Sequence, residues 1–278
     1  MLQLKAKLNF NKKVKGNYFH LAIQAPRITK QALPGQFLNI RVNDSCEPLL
    51  RRPFSIHRVS GSSLEILYEV VGKGTEILSQ RKPGDYLDVV GPLGSGFNLI
   101  PNTYNQTPIL VAGGMGVAPL VFLVEKLKES KPFLLIGAKT KSQILCEKEF
   151  KQLGCSVKIA TDDGSRGFKG KVTELLEKIL VAGRRSQVAG RKIKKLVACD
   201  LRPETIIYAC GPRPMLKEIS RISQEYRIPA QISLEEHMAC GIGACLGCVV
   251  KTRQGFQRVC KEGPVFKADE IVWKDTRP

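Results

Sequence analysis

SLEEHMACGIGACLGCVVKTRQGFQRVC, from Ser233 to Cys260, holds four cysteines as Cys240, Cys245, Cys248 and Cys260. The first three stand in a C-x4-C-x2-C run, and the fourth follows after eleven residues. This spacing gathers thiolates on a plant-type [2Fe–2S] cluster. Sulfurs bridged by a compact inorganic core converge on one point, so three come from a tight loop and one from a separate segment. Gly241, Gly243 and Gly247 stand among the first three. Glycine lets the backbone curl closely and leaves N–H groups free to reach sulfur, which tunes reduction potential. Zinc is a competing reading, but structural zinc usually shows two short C-x2-4-C pairs, and only Cys245 and Cys248 make one here. Disulfides are another. The chain opens MLQLKAKLNFNKK, without the apolar run of a signal peptide. A reducing, cytoplasmic setting is therefore expected, where thiols ligate metal rather than bridge.

Such a cluster carries one electron at a time and makes no bonds, so the rest of the chain is expected to supply an electron source. Its 278 residues allow two or three domains with real cores. No run approaches the roughly eighteen apolar residues of a membrane span. Cys46, Cys146, Cys155 and Cys199 carry no motif and read as buried apolar thiols. The 44 Lys and Arg against 25 Asp and Glu give a net charge of +19. Nucleic-acid binding is one reading of that excess. The charge is spread along the chain, however, and no helix-turn-helix, zinc-finger or RNA-recognition signature accompanies it. Steering of nucleotides and acidic partners is the plainer reading.

Residues 1–100 read as short strands with period-two alternation. LQLKAKLNF, YFHLAIQA, QFLNIRV, SLEILYEVV and DYLDVVGPLG are separated by turns such as Pro34-Gly35 and Pro83-Gly84. That pattern predicts a small antiparallel barrel. From Pro108 the texture becomes alternating β and α: PILVAGG, then a helix; KPFLLIGAKT, then a helix over SQILCEKEFKQLG; CSVKIATDDGS, then KVTELLEKIL; ETIIYACGP, then RPMLKEISRISQEY. Alternation of this kind predicts a parallel, Rossmann-like sheet with helices on both faces. It stops near Tyr226, where the cysteine-rich segment begins.

Several strings fit nucleotide chemistry. In LRRPFSI, Arg52 and Ser55 provide a cation and a hydroxyl donor for a phosphate. About twenty residues on, the turn Gly72-Lys73-Gly74-Thr75 opens a helix, placing backbone N–H groups and a hydroxyl at a ready anion site. Thr75 equally reads as a helix cap. Together the two strings suggest a dinucleotide pyrophosphate between a strand and a helix start. Gly113, Gly114 and Gly116 of GGMGVAP follow a buried strand and precede a helix, the setting of a nucleotide-binding turn, although the G-x-G-x-x-G fingerprint is not met. A tight βα connection is the alternative. Asp162 and Asp163 end the third strand of this unit, where acids accept from ribose hydroxyls. The adjacent Arg166 leaves NAD against NADP open. Cys210, Gly211 and Pro212 end the last apolar strand, at the carboxyl edge where ligands sit in open parallel sheets. Cys210 there reads either as a nicotinamide neighbour or as core.

LRRPFSI, the GKGT turn, GGMGVAP, the CGP strand end and HMACGIGACLGCVV with the later cysteine resemble the ferredoxin reductase-like superfamily. Within it, the likeness is to the electron transfer subunits of class 1B dihydroorotate dehydrogenases, over nearly the whole chain. The resemblance implies three domains: an FAD-binding β-barrel over 1–100, an NAD-binding α/β domain over 101–226, and a [2Fe–2S] domain over 227–278. It implies FAD contacts from Arg52, Pro53, Phe54, Ser55, Leu67, Tyr68, Glu69, Gly74 and Thr75, and cluster ligation by Cys240, Cys245, Cys248 and Cys260. It further implies NAD(H) as substrate and an FMN-containing catalytic subunit that oxidises dihydroorotate, assembled as a heterotetramer of two copies of each. Another FAD and [2Fe–2S] reductase, such as a sulfide dehydrogenase or ferredoxin:NADP oxidoreductase subunit, is the alternative.

One stretch departs from the family pattern. At about 182–198, Arg184, Arg185, Arg191, Lys192, Lys194 and Lys195 make a basic insertion, read as a solvated loop or as a contact for an acidic partner or membrane surface. Among the histidines, His57 is placed near the flavin-type string, His20 in a structural role, and His237 near the sulfurs. No Ser/His/Asp or metal-His constellation is read in the sequence, so hydrolysis is not expected.

Overall fold

In the computed structural model, which describes residues 1–99, 108–127, 130–189 and 205–273, the alternating N-terminal stretches form one antiparallel sheet. In chain order its elements are β1 (Leu2–Lys15), β2 (Tyr18–Gln24), the short helix α1 (Pro26–Thr29), β3 (Phe37–Arg41), β4 (Arg52–Ser55), β5 (Arg58–Ser60), β6 (Ser63–Glu69), α2 (Lys73–Ser79) and β7 (Tyr86–Leu93). The strands lie in the order β4-β3-β7-β1-β2-β6-β5. The expected barrel is a curled half-barrel whose end strands, β4 and β5, are not paired with each other. Inward-facing Ala6, Leu8, Leu21, Ile23, Leu38, Ile40, Ile66 and Val89 fill its core, as the two-residue period of strands requires. Turns at Gly35 (φ 91) and Gly84 (φ 97) use the left-handed region open to glycine.

The second half builds β8 (Pro108–Gly113), α3 (Val117–Leu127), β9 (Phe133–Ala138), α4 (Glu147–Gln152), β10 (Ser156–Thr161), β11 (Phe168–Lys169), α5 (Val172–Ala189), β12 (Ile206–Cys210), α6 (Arg213–Tyr226) and β13 (Ala230–Ser233). The hairpin β14 (Val249–Thr252) and β15 (Gly255–Arg258) follows, then β16 (Val265–Lys267). The larger sheet runs β11-β10-β9-β8-β12-β13-β16, parallel except where β16 meets β13. Its central strands β8, β9 and β12 are near-continuous apolar runs because both faces are covered there. Leu120, Val124 and Phe150 of α3 and α4 pack on one face, and Leu176, Leu180, Leu216 and Ile219 of α5 and α6 on the other.

Two expectations are corrected. The helix read over 142–154 is confined to Glu147–Gln152, because Cys146 sits at its start in the left-handed region (φ 57) behind a 3-10 turn at Lys141–Gln143. The βα alternation runs one strand beyond Tyr226: β13 adds to β12 in parallel, and β16 returns beside it. Burial of Ile232 and Phe266 explains both additions. Of the basic stretch at 182–198, the backbone of α5 reaches Ala189, and Arg191, Lys192, Lys194 and Lys195 lie outside the described residues. No helix among the described residues is long and apolar enough to cross a membrane.

Candidate functional site

The four cysteines are brought together by two local devices. The first is the turn 240–245, which reverses at Gly241 (φ 71) and Gly243 (φ 84). A Cβ on Gly243 would lie 2.7 Å from Cδ of the flexible Lys261 side chain, which can give way, so it is the left-handed φ that favours glycine there. The turn aims the N–H groups of Ile242 and Ala244 at Cys240 Sγ, at 3.5 and 3.3 Å. The second device is the β14–β15 hairpin, absent from the sequence reading. Its register pairs Val249 with Arg258, so Val259 N–H donates to the Cys248 carbonyl at 2.9 Å and Cys260 N–H donates to Cys248 Sγ at 3.4 Å. Hairpin closure thus sets the fourth cysteine beside the third, and Arg258 Nη1 ties it to the first turn through the Gly243 carbonyl at 2.8 Å.

The sulfurs feel one another. Partial burial opposes ionisation of Cys240, but backbone donors from Ile242, Cys245 and Ala244 outweigh it and bring the thiol down to about 6. Cys260 is pushed up to about 12, by burial and then by its neighbour Cys248. A cationic core would relieve that crowding. Four soft donors with N–H groups turned towards them fit an iron–sulfur cluster.

Beside this loop a cavity of about 540 Å³ is lined by Leu50, Arg51, Arg52 and Pro53 on one wall and by Glu236, His237, Met238, Ala239 and Gly247 on the other. The volume lies in the range of small-molecule and cofactor sites. One wall includes Arg52 and Pro53, the start of the RPFS string; the other leads into the cysteine turn. His237 lines this cavity and is exposed. Glu236, also on the wall, is fixed by Arg213 at 2.6 Å. Sequence reasoning passed over Glu236 and Met238, which had only their position just before the cysteines to mark them.

Arg52 leaves the cavity towards α2. Its guanidinium packs on Gly74, where a Cβ would lie 2.9 Å from Nε, and Nη1 donates to the Leu50 carbonyl at 2.5 Å. Arg52 and the start of α2 therefore form one cationic corner, as expected of an anion site. Thr75 is not the N-cap of α2, which is Gly72, but the third helical residue reaching back: its Oγ1 accepts from the N–H groups of Val71 and Gly72 at 2.9 and 3.2 Å. Ser55 and Glu69 remain half-buried. Phe54, Leu67 and Tyr68 are core side chains. Phe54 and Tyr68 meet edge to face at 5.7 Å, and Tyr68, held by Asn11 at 3.1 Å, is raised by burial to about 12.

In the parallel sheet, the glycine turn and the CGP strand end pack on each other. A Cβ on Gly116 would lie 2.0 Å from the Cys210 carbonyl oxygen, and one on Gly113 would lie 2.7 Å from Met215 Sδ. Gly211 meets Gly113 in the same way. These three glycines are required by packing. Gly114, at φ 54 with open space around it, is the one free to approach a ligand. Pro212 starts α6, and the Cys210 side chain is buried, its thiol raised by desolvation and then by Glu235. Asp162 pairs with Lys171 at 2.7 Å. Asp163 accepts from Ser165 Oγ at 2.6 Å and from its N–H at 2.9 Å, bonds that lower its carboxyl. Arg166 is held by Glu147 at 2.9 Å.

His57 lies apart from the cavity. It is buried where β5 meets α3 and α4, its Nδ1 donating to the Ala118 carbonyl at 2.8 Å. Nε2 stands 3.6 Å from Glu149, and Cys146 completes a cluster of three ligand-type side chains. His20 is structural, bonded to Glu65 at 2.9 Å.

Comparison with known proteins locates an iron–sulfur cluster binding domain of dihydroorotate dehydrogenase B over residues 235–272 and an oxidoreductase NAD-binding domain over 110–221. The dihydroorotate dehydrogenase B (NAD(+)) electron transfer subunit of Desulforamulus reducens is 45% identical over 93% of this chain and 94% of its own length. That of Caldanaerobacter subterraneus subsp. tengcongensis is 38% identical over 98% and 99%. Among solved structures, the NADH-dependent reduced ferredoxin-NADP oxidoreductase superposes with a TM-score of 0.76 at 28% identity, covering 97% of this chain and 90% of that one. A ferredoxin NADP+ reductase from Neisseria gonorrhoeae with bound FAD and NADP shares the fold, with a TM-score of 0.62 at 17% identity over 81% and 91% of the two chains.

Proposed function

The chain belongs to the family of dihydroorotate dehydrogenase B electron transfer subunits, and on that premise we propose how its residues divide the work. It is an NAD-linked flavin and iron–sulfur oxidoreductase subunit of pyrimidine biosynthesis, using FAD, a [2Fe–2S] cluster and NAD. FAD, when bound, exchanges a hydride with nicotinamide and single electrons with the cluster. In our reading Cys240, Cys245, Cys248 and Cys260 hold the cluster. The corner of Arg52, Ser55, Gly74 and Thr75 neutralises and orients the FAD pyrophosphate, with Pro53, Phe54, Leu67, Tyr68 and Glu69 shaping the flavin site. Gly114 admits the nucleotide pyrophosphate; Gly113, Gly116 and Gly211 let the turn and strand end close together; Asp162 and Asp163 face the ribose. Cys210 and Pro212 line the nicotinamide end.

The observation that supports this reading is the cavity lined by Leu50, Arg51, Arg52 and Pro53 and by the approach to the cysteine turn; in our reading the first wall serves FAD and the second the cluster. The reading assigns residues 1–100 to FAD, 101–226 to NAD and 227–278 to the cluster, with β13 and β16 of the last unit extending the nucleotide sheet. The subunit name of the relatives implies a catalytic partner; we take that partner to carry FMN, in a complex of two copies of each chain. A cytoplasmic location is part of the proposal, supported by the eight described cysteines, all free.

The test is the purified complex. Flavin bands with a cluster shoulder, bleached by NADH, and dihydroorotate-dependent NAD⁺ reduction with a co-expressed catalytic subunit are expected. Material holding flavin and iron that reduces ferredoxin and ignores dihydroorotate would move the assignment to the ferredoxin reductases.

A further inference from the structure

Asn39 lies in the middle of β3 with 1% of its surface exposed. Its backbone pairs with Pro53 of the RPFS strand on one side and with Val90 of β7 on the other. A buried amide weakens a strand unless its polar atoms are partnered. Here Nδ2 donates to the main-chain carbonyl of Cys240 at 3.2 Å, across 201 residues of sequence. A carbonyl only accepts, so the amide orientation is fixed and Oδ1 is left buried without a partner. For the half-barrel alone, an apolar side chain of the same size is the better choice. What the amide provides is the bond to Cys240.

The residue after Cys240 is shaped around the same contact. A Cβ on Gly241 would lie 2.4 Å from Asn39 Nδ2, so the turn accepts Asn39 only with glycine at its corner. Anchoring the Cys240 carbonyl orients the peptide that begins the turn. The turn in turn aims the N–H groups of Ile242 and Ala244 at Cys240 Sγ. Hydrogen bonds to ligand sulfur set the potential of a cluster.

We propose that Asn39 is a positioning residue for electron transfer: through the Cys240 carbonyl it fastens the cysteine turn to the strand pair that carries RPFS, and so holds the N–H···S bonds and the separation of cluster and flavin. The proposal rests on the assignment of the four cysteines to a cluster and of β4 to FAD.

The experiment uses the full chain in complex with its catalytic subunit, as wild type, Asn39→Leu, Asn39→Asp and Gly241→Ala. FAD, iron and acid-labile sulfide are measured first. A wild type without them overturns the functional reading and this inference with it. With cofactors present, NADH–ferricyanide turnover, which needs the flavin alone, is expected to stay within about twofold in Asn39→Leu, while dihydroorotate-linked turnover falls on the order of tenfold. The electron paramagnetic resonance g-values of the reduced cluster shift and its midpoint potential becomes more negative, while the thermal midpoint of Asn39→Leu stays level or rises. Asn39→Asp, which sets an acceptor against the carbonyl, moves spectrum and potential further, and Gly241→Ala moves them in the same direction. If Asn39→Leu does not fold, the other two variants carry the test. Unchanged g-values and potential in cofactor-replete variants overturn the proposal, as does a loss of ferricyanide turnover in step with the coupled reaction.

Discussion

Two places among the described residues collect metal-ligating side chains, and they are built on opposite terms. At 240–260 four cysteines meet backbone N–H donors, and Cys240 is drawn down to about 6. At the contact of β5 with α3 and α4, His57, Cys146 and Glu149 also converge, but Arg58 already neutralises Glu149 at 2.7 Å and Glu125 at 2.6 Å. Burial, and then Glu149, push the Cys146 thiol up. At the cysteine turn backbone donors favour the Cys240 thiolate, although burial and Cys248 push Cys260 up; at the seam burial and a carboxylate both favour the neutral thiol. Proximity of ligand-type residues therefore separates the two sites less well than the charge each surrounding favours. The first is a site for a cationic cluster, the second an ion-paired seam between the half-barrel and the parallel sheet.

The sharpest way to break this contrast is to remove one sulfur from each. Cys248→Ser is expected to lose iron and acid-labile sulfide, and to cut dihydroorotate-linked turnover by more than the roughly 10–100-fold typical of losing an outer partner. Iron analysis and coupled assays check it. At the seam, Glu149→Gln leaves Arg58 and His57 short of a partner. It is expected to cost about 1–3 kcal/mol in urea unfolding, with iron content unchanged.

The pH dependence sharpens the same comparison. Burial raises Glu65 and Glu149, but hydrogen bonds and charge from His20 and Arg58 (for Glu65), and from His57 and Arg58 (for Glu149), win and hold both below the ordinary 4.5. A carboxyl with a depressed folded pKa contributes stability above its unfolded value and loses it as pH falls through the folded one. The urea midpoint is therefore expected to drop below about pH 4.5, and to drop less in Glu149→Gln. The smallest effect belongs to Cys146→Ser, which is expected to keep full iron and to change stability by no more than about 1 kcal/mol. Iron loss in that variant would erase the distinction.

Legibility followed sequence distance. The cysteine spacing, the RPFS and GKGT strings and the βα rhythm each live within about twenty residues and were readable. Glycines were found but their duties were not. Gly113, Gly116 and Gly211 serve packing and Gly114 stands open, a division set by what lies opposite each in space. The helix over 142–154 was overread because nothing local announced that Cys146 would leave the right-handed region.

By itself the sequence determined the chemistry available: four thiols at cluster spacing, an arginine–hydroxyl strand and a glycine turn after an apolar strand. These depend on residue type and on separations short enough for backbone geometry to fix. Only the tertiary structure decided which of them meet. The passage of β13 and β16 into the nucleotide sheet and the hold of Asn39 on the Cys240 carbonyl join segments far apart along the chain. Such contacts arise from burial of whole faces against each other, which no local pattern encodes.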